Sequence, residues 1–199
     1  MYAKPIQQLI TAFSSLPGVG PRTAERFVFS LLKSGKKDVA ELTVALKQLM
    51  NTVKSCSICC DFSDKNPCQT CSDPKRDHTR ICVVAEPPDI QAIERTHSWT
   101  GQYHVLRGVV DSSDPETIAT IKISELIDRV KTQGIREVLL ALNPDVPGET
   151  TMLYLDRRLR EVSPILSITR LARGLPMGSD LRYADDITLG SALKNRTKT

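Results

Sequence analysis

"SCSICCDFSDKNPCQTCSDPKRDHTR", residues 55–80, is polar, rich in turn residues and nearly free of large apolar side chains. A segment of this composition cannot bury a core of its own, so something else must organise it. It carries two Cys-x2-Cys pairs, Cys56/Cys59 and Cys68/Cys71, separated by eight residues. Four thiolates in two such knuckles can converge on a tetrahedral Zn²⁺ with no open position, which marks a structural metal. Binding would then supply the folding free energy that the segment lacks. Disulfides are the alternative. The start "MYAKPIQQLI" lacks a charged beginning followed by a long apolar stretch, so a reducing cytoplasm is expected, where bridges are rare. Cys60 lies beside the first pair without its spacing, Cys82 falls in an apolar run and reads as an inert core residue, and His78 is a rival ligand for a site already filled.

The segment divides the chain. Before it, Ile6, Leu9, Ile10, Phe13 and Leu16 share one helical face. Ala24, Phe27, Val28, Leu31 and Leu32 repeat the pattern, and Val39, Leu42, Leu46, Leu49, Met50 and Val53 make a third helix. Three short helices with tight links predict a compact N-terminal unit. Between the first two stands "SSLPGVGPRTAERFV" (14–28), with Gly18 and Gly20 flanking one valine and Pro21 opening the next helix. Two readings stay open. The glycines can serve a tight turn, or they can let an anion approach the unpaired N–H groups of the helix N-terminus. Arg22 and Arg26, one turn apart near that N-terminus, suit the second reading. Residues 1–80 hold 12 Lys/Arg against 7 Asp/Glu, a net of +5, which a zinc tetrathiolate of charge −2 lowers to about +3. Residues 81–174 carry a net of −2. The basic excess therefore accompanies the glycine turn, weakly favouring nucleic acid over a merely solvated surface.

After the segment the pattern changes. "ICVVA" (81–85) and "VLLAL" (138–142) are apolar runs of strand length, and "ILSITRLA" (165–172) is a less uniform third. A helix near 89–95, a strand around 103–106, a helix near 116–132 and another over 149–162 lie between them. Strands apolar throughout, alternating with helices, predict a mostly parallel sheet covered on both faces. No apolar run reaches the length of a membrane span, and the stretch from 174 has no clear period.

Glu86 follows the first run, and Asp145 and Glu149 follow the second within "NPDVPGE" (143–149). Sites in open α/β sheets form beyond the carboxyl ends of strands. Three carboxylates there can share a Mg²⁺ for phosphoryl-transfer chemistry. The competing reading is a Pro/Gly turn whose acids favour a helix start. No catalytic nucleophile stands out: His97 and His104 follow no catalytic spacing, and Tyr103 is expected to pack. Asp185 and Asp186 suit subunit or helix-cap contacts, since "LRYA" before them is too polar for a buried strand.

The order of these parts resembles the recombination mediator RecR family. The resemblance runs over almost the whole chain: "LPGVGPRTAER" (16–26) resembles a helix-hairpin-helix, and the four-cysteine finger, "AEPPDIQAIERT" (85–96), "YHVLRG" (103–108), "NPDVPGET" (143–150) and "RLARGLPMGSDLRYADDITLGSAL" (170–193) follow in the family's order. It implies an α+β, multi-domain chain: a helical unit over 1–54, a zinc finger over 55–80, a Toprim-like α/β domain over 81–174, and a C-terminal segment over 175–199 for subunit contacts. It also implies a non-enzymatic protein of DNA repair, binding single- and double-stranded DNA without sequence preference. Such proteins form a ring-shaped homotetramer that encircles DNA in the cytoplasm, at the nucleoid. They work with RecO and RecF to load the recombinase RecA. DNA contact would fall to Gly18, Gly20, Arg22 and Arg26. Three features depart from the pattern. Arg107 stands where the family usually has glycine, "VVDSSDPETI" (109–118) lacks the usual Pro/Gly-rich loop, and Asp145 replaces a residue that is often neutral. Toprim enzymes carry a Glu after one strand and Asp-x-Asp after another. Asn143 takes the first of those aspartate positions, which favours a binding role over the alternative, a Mg²⁺-dependent nuclease or nucleotidyl transferase.

Overall fold

The computed structural model describes residues 2–111, 113–114 and 116–197; Ser112 and Pro115 of the "VVDSSDPETI" loop and the last two residues of the C-terminal segment lie outside them. The chain divides into two compact units, residues 1–53 and 54–199.

In the first unit, α1 (Lys4–Ser14) and α2 (Pro21–Ser34) pack through Ile10, Ala24 and Val28, with Ile6, Phe13 and Val19 against them. Phe13 and Phe27 meet edge to face at 5.9 Å. The third helix, α3 (Lys36–Thr52), forms as its spacing predicts, but none of its residues is buried, and Leu42, Leu46 and Leu49 stay 40–55% exposed. The shared core is thus a two-helix core. Gly35 alone joins α2 to α3, at φ 91°, and one residue is too short to fold a helix back along its predecessor.

The second unit begins with the finger. A two-residue antiparallel ladder, β1 (Lys54–Ser55) with β2 (Phe62–Ser63), precedes the short α4 (Gln69–Ser72). Then come β3 (Asp77–Val84), α5 (Pro87–Glu94), β4 (Gly101–Val105), α6 (Thr117–Thr120), α7 (Ile123–Thr132), β5 (Glu137–Leu140), α8 (Val146–Val162), β6 (Ser167–Arg170) and, beyond a 3₁₀ turn at Leu181–Tyr183, α9 (Asp186–Lys194). Strands β4-β3-β5-β6 form one sheet, every pair parallel.

Because strand side chains alternate, an apolar run such as 81–84 must be covered on both sides. Ile81 and Val83 face a core built with Leu126 and Val130 of α7 and Leu155 and Leu159 of α8. Cys82 and Val84 face the other, with Ile90 of α5, Tyr103 and Val105. Edge strand β6 is mostly exposed, which accounts for its mixed sequence. The single helix expected over 116–132 is two. Ile121 is buried in the core and the Lys122 N–H donates to the Leu106 carbonyl at 2.8 Å, so the chain breaks its helix to extend past the end of β4.

Candidate metal centre and nucleic-acid interface

The two knuckles fold alike: the N–H of Cys60 donates to the Cys56 carbonyl at 3.1 Å, and that of Ser72 to Cys68 at 3.0 Å. They bring the sulfurs of Cys56, Cys59, Cys68 and Cys71 within 4.8 Å of one another, all four residues buried. Sulfurs bound at ~2.3 Å around a tetrahedral ion lie just under ~4 Å apart, so the donor set fits a closed, soft-metal site. Cys59 and Cys68 sulfurs are 3.5 Å apart, and the Cys68 N–H donates to the Cys56 sulfur at 3.3 Å. Hydrogen bonding with Cys59 and Cys71 drives the Cys68 thiol well down, and its bond with Cys68 drives Cys59 up. A bound metal would need all four cysteines as thiolates. His78 is outside the set, its ring nitrogens meeting Gln102 at 2.9 Å and the Asp73 carbonyl at 3.3 Å. Cys82 lies in β3, its thiol pushed up to about 12 by burial.

Packing of the finger on the sheet uses residues that sequence patterns do not reveal. Val105 N–H donates to the Cys59 carbonyl at 2.8 Å. Arg107 adopts φ 61°, the left-handed backbone that glycine prefers. Its Nε donates to the Cys60 carbonyl at 2.8 Å, and its guanidinium lies 4.1 Å from the Phe62 ring centre. The position keeps a glycine-like backbone and adds a clamp on the finger. Arg76 and Tyr103 both reach Glu94, at 2.6 and 2.5 Å, holding its carboxyl below the usual range chiefly through Arg76. Within β4, His104 is fully buried beside Arg129 and among the described residues bonds to no carboxylate; its Nε2 lies 2.7 Å from the Lys122 carbonyl, and burial holds it down to about 4. These partners come from distant parts of the chain. The one sequence signal was the Arg107 departure.

The three carboxylates do not converge. Among the described residues, the cysteine set is the one group of three or more His, Cys, Asp or Glu with ligand atoms within 4.8 Å. Glu86 N-caps α5 in a capping box with Asp89. Asp145 N-caps α8, accepting from the Gly148 N–H at 2.8 Å. Glu149 is ion-paired with Arg173, with Arg170 at 4.0 Å. A Cβ on Gly148 would clash with the Asn143 carbonyl, so the glycine serves close packing of the α8 N-terminus.

In the first unit, Gly18 takes φ 77° and forms the turn. Gly20 is different: it is the N-cap of α2 at φ −78° and ψ 166°, conformations open to any residue, and a Cβ there would meet nothing within 4 Å. Among the described residues no side chain caps α2. Arg22 and Arg26 are exposed, and neither pairs with a carboxylate among the described residues. Glu25 instead accepts from the Tyr2 hydroxyl.

The sequence matches known proteins along nearly its whole length. Residues 6–50 match the family description "RecR, helix-hairpin-helix", residues 79–172 "Toprim domain", and residues 174–197 "RecR, C-terminal". The "Recombination protein RecR" of Moorella thermoacetica is 45% identical over 195 residues, covering 98% of this chain and 97% of its own. The chain belongs to the RecR family. Family members named "Recombination protein RecR" from Nocardia farcinica and Mycolicibacterium smegmatis are 45% and 44% identical, each over 200 residues and 98% of both chains. Against this RecR framework, Asp185 N-caps α9 by accepting from the Thr188 N–H at 2.8 Å, one of the two roles expected for it. No helix among the described residues is long and apolar enough to cross a membrane.

Proposed function

We propose that the chain is a DNA-binding recombination mediator without catalytic turnover. The observation that carries this is Gly20: the fold accommodates a side chain there, yet the sequence leaves the uncapped α2 N-terminus bare, between a glycine turn and two exposed arginines. An unshielded helix N-terminus suits a phosphate, and backbone N–H contacts position nucleic acid without reading bases. We assign the contact to Gly18, Gly20, Arg22 and Arg26, on single- and double-stranded DNA alike. Residues 1–54 form the DNA-binding unit, 55–80 a zinc finger, 81–174 the Toprim domain, and 175–199 the subunit contacts. Zinc follows from the all-thiolate donor set, with Cys56, Cys59, Cys68 and Cys71 as ligands.

Family resemblance supplies the finer reading. The chain acts at the nucleoid as a ring-shaped homotetramer, with RecO and RecF, to help load RecA. Glu86, Asp145 and Glu149 serve structure rather than Mg²⁺ chemistry, since Asp145 is engaged as a cap and Glu149 by Arg173. Incubation with labelled single- and double-stranded DNA, with and without Mg²⁺, tests the reading. A mobility shift with intact DNA is expected. Mg²⁺-dependent products that vanish in Glu86→Ala would overturn it in favour of a nuclease or nucleotidyl transferase.

A further inference from the structure

Arg129 of α7 is 5% exposed. Its guanidinium donates to the Tyr103 carbonyl at 2.8 Å, Gln102 Oε1 at 2.7 Å and Gln133 Oε1 at 3.2 Å, all neutral acceptors. Nη1 also lies 3.5 Å from His104 Nδ1. Among the described residues no carboxylate pairs with it. A buried charge is costly unless compensated, and hydrogen bonds to neutral groups supply no counter-charge.

The finger docks on the strand to which Arg129 bonds. Val105, two residues beyond Tyr103 on β4, is hydrogen-bonded to the Cys59 carbonyl. Burial lowers the Arg129 pKa, and Cys71, Cys59, Cys60 and Cys56 are the groups that act against it. An ion of charge +2 with four thiolates leaves −2 in the finger, and that charge in turn needs a partner in a poorly solvated place. Arg107 also reaches the finger, but through the Cys60 carbonyl and from a less buried position.

We infer that Arg129 is the buried counter-charge of the metal–tetrathiolate: a positioning residue of the Toprim domain that strengthens metal retention in the finger and ties loading of the site to packing of β4 and α7. This rests on the zinc reading above. The role belongs to the positive charge, so a lysine can fill it in part and a glutamine, polar but neutral, cannot.

The test uses the full-length chain loaded with zinc, with zinc release into excess chromogenic chelator followed for wild type, Arg129→Gln and Arg129→Lys. Outer-shell partners of metal ligands typically contribute about 10–100-fold in affinity, and a loss of that order is expected for Arg129→Gln, with Arg129→Lys within a few fold of wild type. Unchanged zinc retention in Arg129→Gln would overturn the inference, as would equal losses in the two variants, which mark a packing role. If Arg129→Gln does not fold, Arg129→Lys decides: retained zinc upholds the charge role, and lost zinc overturns it. A wild-type chain that takes up no zinc overturns the metal reading itself, and this inference with it.

Discussion

The backbone N–H of Val105 donates to the Cys59 carbonyl at 2.8 Å, so the first cysteine knuckle continues the free edge of the sheet at β4. An unpaired strand edge is exposed to unwanted pairing, and here the finger covers the end of it.

Cys68→Ser should therefore disturb more than its own loop. The expected result is loss of the bound metal and of stability on the order of several kcal/mol, since metal-binding energy in such sites is folding energy. Hydrogen exchange should rise across 55–80 and also at 101–105. A Cys68→Ser chain with wild-type zinc content by elemental analysis would remove the four-cysteine assignment.

Glu94 gives a pH dependence with a defined sign. Arg76, then Tyr103, favour its ionised form and lower its pKa. A depressed carboxyl contributes stability that is present above its unfolded pKa and lost as pH falls through the folded one. Glu94→Gln should cost about 1–2 kcal/mol at neutral pH, toward the low end for bonds to a charged group because a third of the side chain meets solvent. Urea unfolding from pH 7 downward checks this: the gap between wild type and variant should close below the ordinary glutamate range. A gap that persists unchanged in acid would mean that packing, not charge, is responsible.

Much of this fold is legible locally. The strand "ICVVA" announces burial on both faces because every residue is apolar, and Cys-x2-Cys spacing announces a knuckle. Relations set by tertiary contact are not legible. Leu42, Leu46 and Leu49 have core spacing whether or not a partner covers them, so the sequence reads as buried a face that this chain leaves exposed. Glu149 follows a strand end in the manner of a metal ligand, and only the return of the chain at Arg173, 24 residues later, shows it neutralised. Arg129 in sequence is one more cation near a helix end. Its burial depends on β4 above it.

Asp145→Ala should behave as loss of a helix cap. The expected cost is about 1 kcal/mol, with DNA affinity and its response to Mg²⁺ unchanged. Gly148→Ala should cost more, because its methyl group would meet the Asn143 carbonyl. Thermal unfolding measures both. A Mg²⁺-dependent change in DNA binding that disappears in Asp145→Ala would restore the acids to a metal site.

Gly18, Gly20, Arg22 and Arg26 allow the turn to be separated from the interface. Gly18 at φ 77° is needed by the backbone, so Gly18→Ala should lower stability by roughly 1 kcal/mol. Gly20→Ala adds a methyl that meets nothing and requires no strained φ, so the thermal midpoint should hold while DNA affinity falls. Replacing Arg22 and Arg26 by Gln should weaken binding on all sequences alike. It should also flatten the salt dependence, by up to roughly 0.9 in log–log slope for each duplex phosphate that a chain no longer neutralises. Oligomer mass is measured first, because a ring multiplies the change by its subunits. Titration at three salt concentrations then decides. Unchanged affinity in Gly20→Ala, together with an unchanged slope in a folded arginine double mutant, would leave "LPGVGPR" a turn between two helices and move the DNA interface elsewhere.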